Sequence, residues 1–221
     1  MQKRLYIIII LLFAAEYTIG QGRLKFGVLF DPTITWLQSD NMNVTPKKIH
    51  AGFNFGVSVD YYFANNYAFA TGVSLFNTGG TLTYTDGVAR FRTNQDEVSI
   101  KPGSDITYRI QYVKIPLGLK FKTHRIGRYV YFANLGVNPM ARALARADFT
   151  DENDKEYDSV NVNNEVNFFN MGWFFGGGAS YSLGGNAAIF AGINFMSTFI
   201  DMTSRDFITS RNLSLRIGVL F

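Results

Sequence analysis

The closing nine residues, Leu213 to Phe221, restrict the fold of this chain more tightly than any other stretch. Leu213, Leu215, Ile217, Val219 and Phe221 fall on one side of an extended segment, and Ser214, Arg216 and Gly218 fall on the other. Successive strand side chains point to opposite faces, so one face is apolar and ends on an aromatic while the other is polar or small. Lipid suits the first face and a polar interior suits the second. A soluble barrel would place the apolar row inside.

The same reading extends backwards. Phe53, Phe55, Val57, Val59, Tyr61 and Phe63 alternate with Asn54, Gly56, Ser58 and Asp60, and Ala64-Asn65-Asn66 then makes a tight turn into Phe69, Thr71, Val73 and Leu75. A fourth strand, about Asp105 to Lys122, begins with Ile106, Tyr108 and Ile110 on one face but continues with Val113, Ile115, Leu117, Leu119 and Phe121. That one-residue slip predicts a β-bulge near Gln111 to Lys114, beside Pro116. Tyr129 to about Asn138 reads as a fifth strand, Phe169 to Tyr181 as a sixth, Ile189 to Phe195 as a seventh, and Leu24 to Leu37 as the opening one.

Connections alternate in length: long at 38–50, 85–104 and 142–166, short at 64–66, 123–128 and 184–186. The expected fold is all-β, an eight-stranded antiparallel transmembrane β-barrel with long extracellular loops and short periplasmic turns, in a bacterial outer membrane. The expected inward residues include Asn54, Ser58, Asp60, Ser74, Lys114, Lys120, Asn134, Asn194 and Arg216.

Lys3 and Arg4, the apolar run Leu5 to Ala15 and the small-residue exit Thr18-Ile19-Gly20 predict a signal peptide over 1–20, leaving 21–221 as the barrel. The apolar run is short of the ~20 residues a spanning helix needs. The absence of cysteine excludes disulfides, thiolate chemistry and a lipid-bearing cysteine. Net charge is only +4 and no run of five Lys/Arg occurs, which argues against nucleic-acid binding.

An eight-stranded barrel has little bore, so an inward charge needs a partner. Lys25, Asp60, Lys120 and Arg216 are expected to form a lumenal charge network in which Asp60 meets one or more of the cations. Its structural version is a plugged, rigid interior; its functional version is an ion gate. No catalytic, cofactor-binding or metal site is expected: His50 lies ahead of the second strand and His124 in a periplasmic turn, at opposite ends of the barrel. The acidic stretch 151–158 lacks calcium-loop spacing and reads as a solvated, mobile loop, and Gly176-Gly177-Gly178 lies in a strand pattern rather than at a phosphate-binding helix. Tyr61, Phe63, Phe69 and Phe221 are assigned to the inner aromatic girdle and Trp36 and Trp173 to the outer one.

Leu215 to Phe221, Tyr112 to Phe121 and Gly56 to Phe63 together resemble the PorT-like outer-membrane barrel family of Bacteroidetes-type bacteria. The resemblance implies a small barrel, one branch of which takes part in type IX secretion, and a terminal Phe221 that resembles the signal read by barrel-assembly machinery. Outer-membrane lipid and that machinery are the expected partners, with a protein partner at loops 85–104 and 142–166. Three roles compete: a non-enzymatic surface barrel whose loops bind a partner, an accessory of a secretion system, and a narrow transport pore.

Overall fold

The computed structural model describes residues 23–40, 42–85, 89–92, 97–203 and 207–221, and the regular elements there are strands. In chain order these are β1 (Leu24–Ser39), β2 (Val44–Lys48), β3 (His50–Ala64), β4 (Tyr67–Tyr84), β5 (Ala89–Arg92), β6 (Glu97–Ile100), β7 (Asp105–Lys114), β8 (Leu117–Lys122), β9 (Tyr129–Thr150), β10 (Glu156–Asn161), β11 (Phe169–Gly184), β12 (Ala187–Thr198) and β13 (Ile208–Leu220). The expected signal peptide lies outside the described residues.

Antiparallel pairing runs β1, β3, β4, then β7 with β8, then β9, β11, β12 and β13, and β13 pairs back onto β1. β7 and β8 make one stave of the wall, interrupted at Ile115 and Pro116 because proline has no N–H to give the ladder. Among the described residues the ring therefore has eight staves and no open edge. β2 extends β4, β10 extends β9, and β5 and β6 form a separate hairpin.

In the membrane part of the wall the apolar rows face out. Phe53, Phe55, Val57, Tyr61 and Phe63 of β3, Phe69, Val73 and Leu75 of β4, and Leu213, Leu215, Ile217 and Val219 of β13 are all exposed. The stretch from Phe53 to Phe63 matches the ~9–11 residues that a tilted strand needs to cross a hydrocarbon core. At the inner rim Phe63 packs on Phe69 and Tyr67 on Phe121, and at the outer rim Trp36 and Trp173 both meet Phe195. The turn at Gly184 and Gly185 uses φ of 113° and 56°, backbone that glycine adopts without a Cβ penalty.

Beyond that band the polarity inverts without a change of phase. The fourth stave has no slip of its own: Ile106, Tyr108, Ile110, Tyr112 and Lys114 are all buried, and Ile115 and Leu117 are exposed. Even-numbered side chains point inward along both β7 and β8, and only the apolar face changes sides. β4 behaves alike, with Leu75 exposed but Phe76, Leu82 and Tyr84 buried. The expected bulge lies across the ladder in β9, where Gln111 pairs Leu144, Tyr112 pairs Arg142, and Ala143 is skipped.

The physical reason is the solvent. A wall that faces water stabilises itself by turning its apolar side chains inward, as a soluble domain does. Leu37, Val44, Leu82, Ile106, Tyr108 and Ile110 join Ala145, Phe149, Val162, Val166 and Met202 in one dry cluster that fills the extracellular part of the ring and continues down to Phe76 and Phe174 within the membrane-facing wall.

Two expected loops are corrected accordingly. Segment 85–104 contains the β5–β6 hairpin, and segment 142–166 is mostly strand, because β9 runs on to Thr150 and β10 returns along it. It is not a mobile loop: Val162 and Val166 are buried in the dry cluster. The acidic stretch is organised too. Asp151 is buried, and its Oδ1 accepts hydrogen bonds from the backbone N–H groups of Asn153 (2.8 Å) and Lys155 (2.9 Å), while Phe149 stacks on Tyr157.

Candidate functional site

The lumen is layered. At the periplasmic end a vestibule of about 460 Å³ is lined by Lys25, Lys120, Lys122, His124, Arg125 and Arg128 among others. The Lys122 ammonium lies 3.9 Å from the centre of the Tyr62 ring, and Arg128 donates to the Tyr181 hydroxyl. Above it sits an ion-pair layer. Lys120 Nζ donates to Asp60 Oδ2 at 2.5 Å, and the Arg216 guanidinium reaches Asp31 Oδ2 at 3.1 Å, with Asn54 Nδ2 donating to the same oxygen at 2.8 Å.

These contacts follow from register. Strand phase puts Asp60 of β3, Lys120 of β8, and Asp31 and Arg216 of β1 and β13 on the inner face; β1 and β13 are ladder neighbours and β3 and β8 both flank β4, so the curved wall brings each pair within hydrogen-bond reach. Lys25 stands across the ladder from Asp60 but lines the vestibule. The four charges expected to meet thus divide: Asp60 holds Lys120, while Arg216 is held by Asp31.

Asp31 is missing from the residues that sequence reasoning places in the network, although it shares the inward phase of Leu29, Thr33 and Thr35. Pro32 beside it obscures the alternation. Lys114, expected inward, is buried against the Phe76 ring at 4.7 Å.

Next comes a belt of hydroxyls and amides. Thr35 Oγ1 donates to Asn212 Oδ1 at 2.6 Å, Thr78 Oγ1 to the same atom at 3.3 Å, and Asn212 Nδ2 to Ser210 Oγ at 2.9 Å. Above the belt the dry cluster fills the ring, and on the β4–β11 side it reaches down to Phe76 and Phe174 beside the ion-pair layer. Water and ions therefore lose their polar environment above the belt, and lower down a small apolar cluster of Leu29, Ala188, Phe190 and Leu220 borders the ion-pair layer.

Outside the membrane the crown is tied by surface pairs. Arg109 meets Asp148, whose Oδ1 also accepts from the Ser159 backbone, and Arg142 donates to the carbonyls of Asn163 and Val166. Lys47 of β2 donates to Asp105 at 2.7 Å, and Thr83 joins it at 2.6 Å. Lys47 first and Thr83 second hold the Asp105 carboxyl below its ordinary range. A depressed carboxylate contributes stability above its unfolded pKa and loses it as pH falls through the folded value. Protection of the β2 amides from hydrogen exchange is expected to persist through about pH 5 and to weaken only below about pH 4, a course that exchange followed against pH would check.

His50 lines an outer crevice with Arg109, and His124 lines the periplasmic vestibule, so the two imidazoles occupy opposite ends. Among the described residues no group of three His, Cys, Asp or Glu side chains could hold a metal ion. Gly178 needs its bare Cα: a Cβ there would lie 2.2 Å from the Ala191 carbonyl oxygen. Phe221 follows β13, its N–H donating to the Phe26 carbonyl at 2.9 Å and its own carbonyl accepting from Phe26 at 3.1 Å. Its ring is exposed.

A closed antiparallel ring of eight staves with an apolar outer band and ion pairs held inside it defines a transmembrane barrel of the bacterial outer membrane. The chain belongs to the outer membrane protein beta-barrel domain family, whose model matches residues 13–204. No curated protein matches it in sequence. Among solved structures it is similar to Neisserial surface protein A, with 16% identity, 88% of this chain and 96% of that one covered, and a TM-score of 0.46. It is also similar to a major outer membrane protein from Thermus thermophilus (13% identity, 90% and 99% covered, TM-score 0.48). The outer membrane protease OmpT of Escherichia coli is a third similar structure (8% identity, 93% and 99% covered, TM-score 0.45).

Proposed function

We propose that this protein is a non-enzymatic, non-conducting barrel that carries a rigid extracellular crown for binding a partner protein. The observation that carries the reading is the dry cluster, which fills the extracellular part of the lumen with Leu82, Ile106, Tyr108, Ile110 and Met202. Hydrated ions do not cross such a layer without breaking it. Planar-bilayer recordings are therefore expected to lack porin-like steps; regular conductance would favour the transport pore instead.

The crown suits recognition because it is preorganised. β2 and β10 each pair on one side only among the described residues, leaving backbone N–H and C=O groups on their outer edges for an added strand. β2 carries Lys47 and Lys48, and β10 carries Glu156 and Asp158, so the two edges differ in charge. A photocrosslinker placed at Lys48 or Asp158 in intact cells is expected to give a discrete protein adduct, and one at Tyr61, on the lipid-facing wall, only lipid. Absence of any adduct from both crown positions would defeat the reading.

Residues 1–20 are proposed as the signal peptide that exports the chain, and Phe221 as the signal that barrel-assembly machinery reads. The PorT-like resemblance of Tyr112 to Phe121 and Leu215 to Phe221 supports a second reading, an accessory of a type IX-like secretion system. Loss of cargo export in a deletion strain would favour it.

A further inference from the structure

We propose that the lumen holds one small monovalent anion of chloride's size on the ammonium of Lys114. A cavity of about 60 Å³ lies within the ion-pair layer, lined by Asn54, Asp60, Ser74, Lys114, Lys120 and Arg216 among others. Lys120 is matched by Asp60, and Arg216 by Asp31. Lys114 is left over. Its residue is only 5% exposed, and among the described residues its ammonium has no carboxylate within ion-pair reach and no hydrogen bond. The Phe76 ring, at 4.7 Å, is a weak substitute for a counter-charge at a buried site.

Two further groups on the same wall lack partners among the described residues: Ser74 Oγ and Asn54 Oδ1. The Ser74 hydroxyl can donate to an anion beside the lysine. Asn54 Oδ1 needs a donor, which a water in the anion's remaining hydration shell supplies. At about 30 Å³ per water the cavity has room for about two water-sized bodies, enough for a halide with one water. One anion also closes the charge count of this layer, three cations (Lys114, Lys120, Arg216) against two carboxylates (Asp31, Asp60).

The way in is periplasmic. The vestibule and the cavity share Lys120, Phe132 and Leu220 in their walls, so an anion drawn in by the vestibule's cations passes along Lys120, at the edge of a small apolar cluster of Leu29, Ala188, Phe190 and Leu220 that borders both spaces. The dry cluster closes the far side, so the anion is resident and does not pass through. This inference rests on the closed lumen and is independent of what the crown binds.

Crystals of the wild-type protein grown in bromide should show an anomalous peak in contact with Lys114 Nζ. In detergent, chloride should raise Tm relative to gluconate at equal ionic strength, an upward shift that Lys114→Met abolishes and Lys114→Arg retains. If Lys114→Met does not fold, the bromide peak in the wild type decides alone. A cavity filled by water without anomalous signal overturns the proposal. So does a chloride-dependent shift that Lys114→Met leaves intact. Conductance or partner binding moves neither result, which separates this test from those of the proposed function.

Discussion

Replacing Ile106 with Asp is expected to unfold the extracellular crown while the membrane wall stays closed. Ile106 is fully buried among Leu82, Tyr108 and other members of the dry cluster, with no cation in that cluster to receive a carboxylate. An isolated ionised group there costs several kcal/mol, and a loss of about 4 kcal/mol is the expected scale. Limited proteolysis should then cut within 97–168, while heat-modifiable migration of the barrel on gels is retained. Arg146→Gln, on the wet side of the neighbouring β9, should stay within about 0.5 kcal/mol of the wild type. Equal protease resistance of Ile106→Asp and wild type would mean that the crown has no dry interior.

The second large effect is expected at Asp31. Asp31→Asn leaves the Arg216 guanidinium inside the lumen without its carboxylate and weakens the bond that Asn54 donates. Breaking one half of a desolvated pair costs about 3–5 kcal/mol, whereas replacing both halves by uncharged groups of similar volume is often neutral. The single variant should therefore unfold at markedly lower urea in lipid or detergent, and Asp31→Asn combined with Arg216→Met should recover most of the loss. A single-variant loss below about 1 kcal/mol would mean that water screens the pair as it does at a surface.

The ring, its strand number and the lipid-facing rows are legible in the sequence because lipid imposes one rule on every strand it touches. Every odd-numbered position from Phe53 to Phe63 and from Leu213 to Phe221 carries an apolar or aromatic side chain. Past the membrane boundary the rule lapses. Alternation then reports which residues share a face but not whether that face meets water or a protein interior. That is why Ile106, Tyr108 and Ile110 read as out of phase with Val113 and Leu117, although both sets keep one register.

The same loss of contrast conceals the far ends of β9 and β10, where Arg142, Arg146, Asp148 and Asp158 give the stretch a loop-like composition. In the lumen, phase places Asp60, Lys120 and Arg216 inward, but pairing depends on height across a curved wall, which no single strand encodes. Asp31 carries no signal beyond its parity on β1, and the proline that follows it blurs even that.

The turn at 152–154 sits on a platform whose apolar interior lies mostly above the hydroxyl and amide belt, beyond the lipid-facing wall. A foreign peptide spliced into that turn would load a part of the molecule that stands in water, away from the acyl chains. The protein thus offers a natural mount for displaying epitopes on a cell surface, with the anchoring half left untouched.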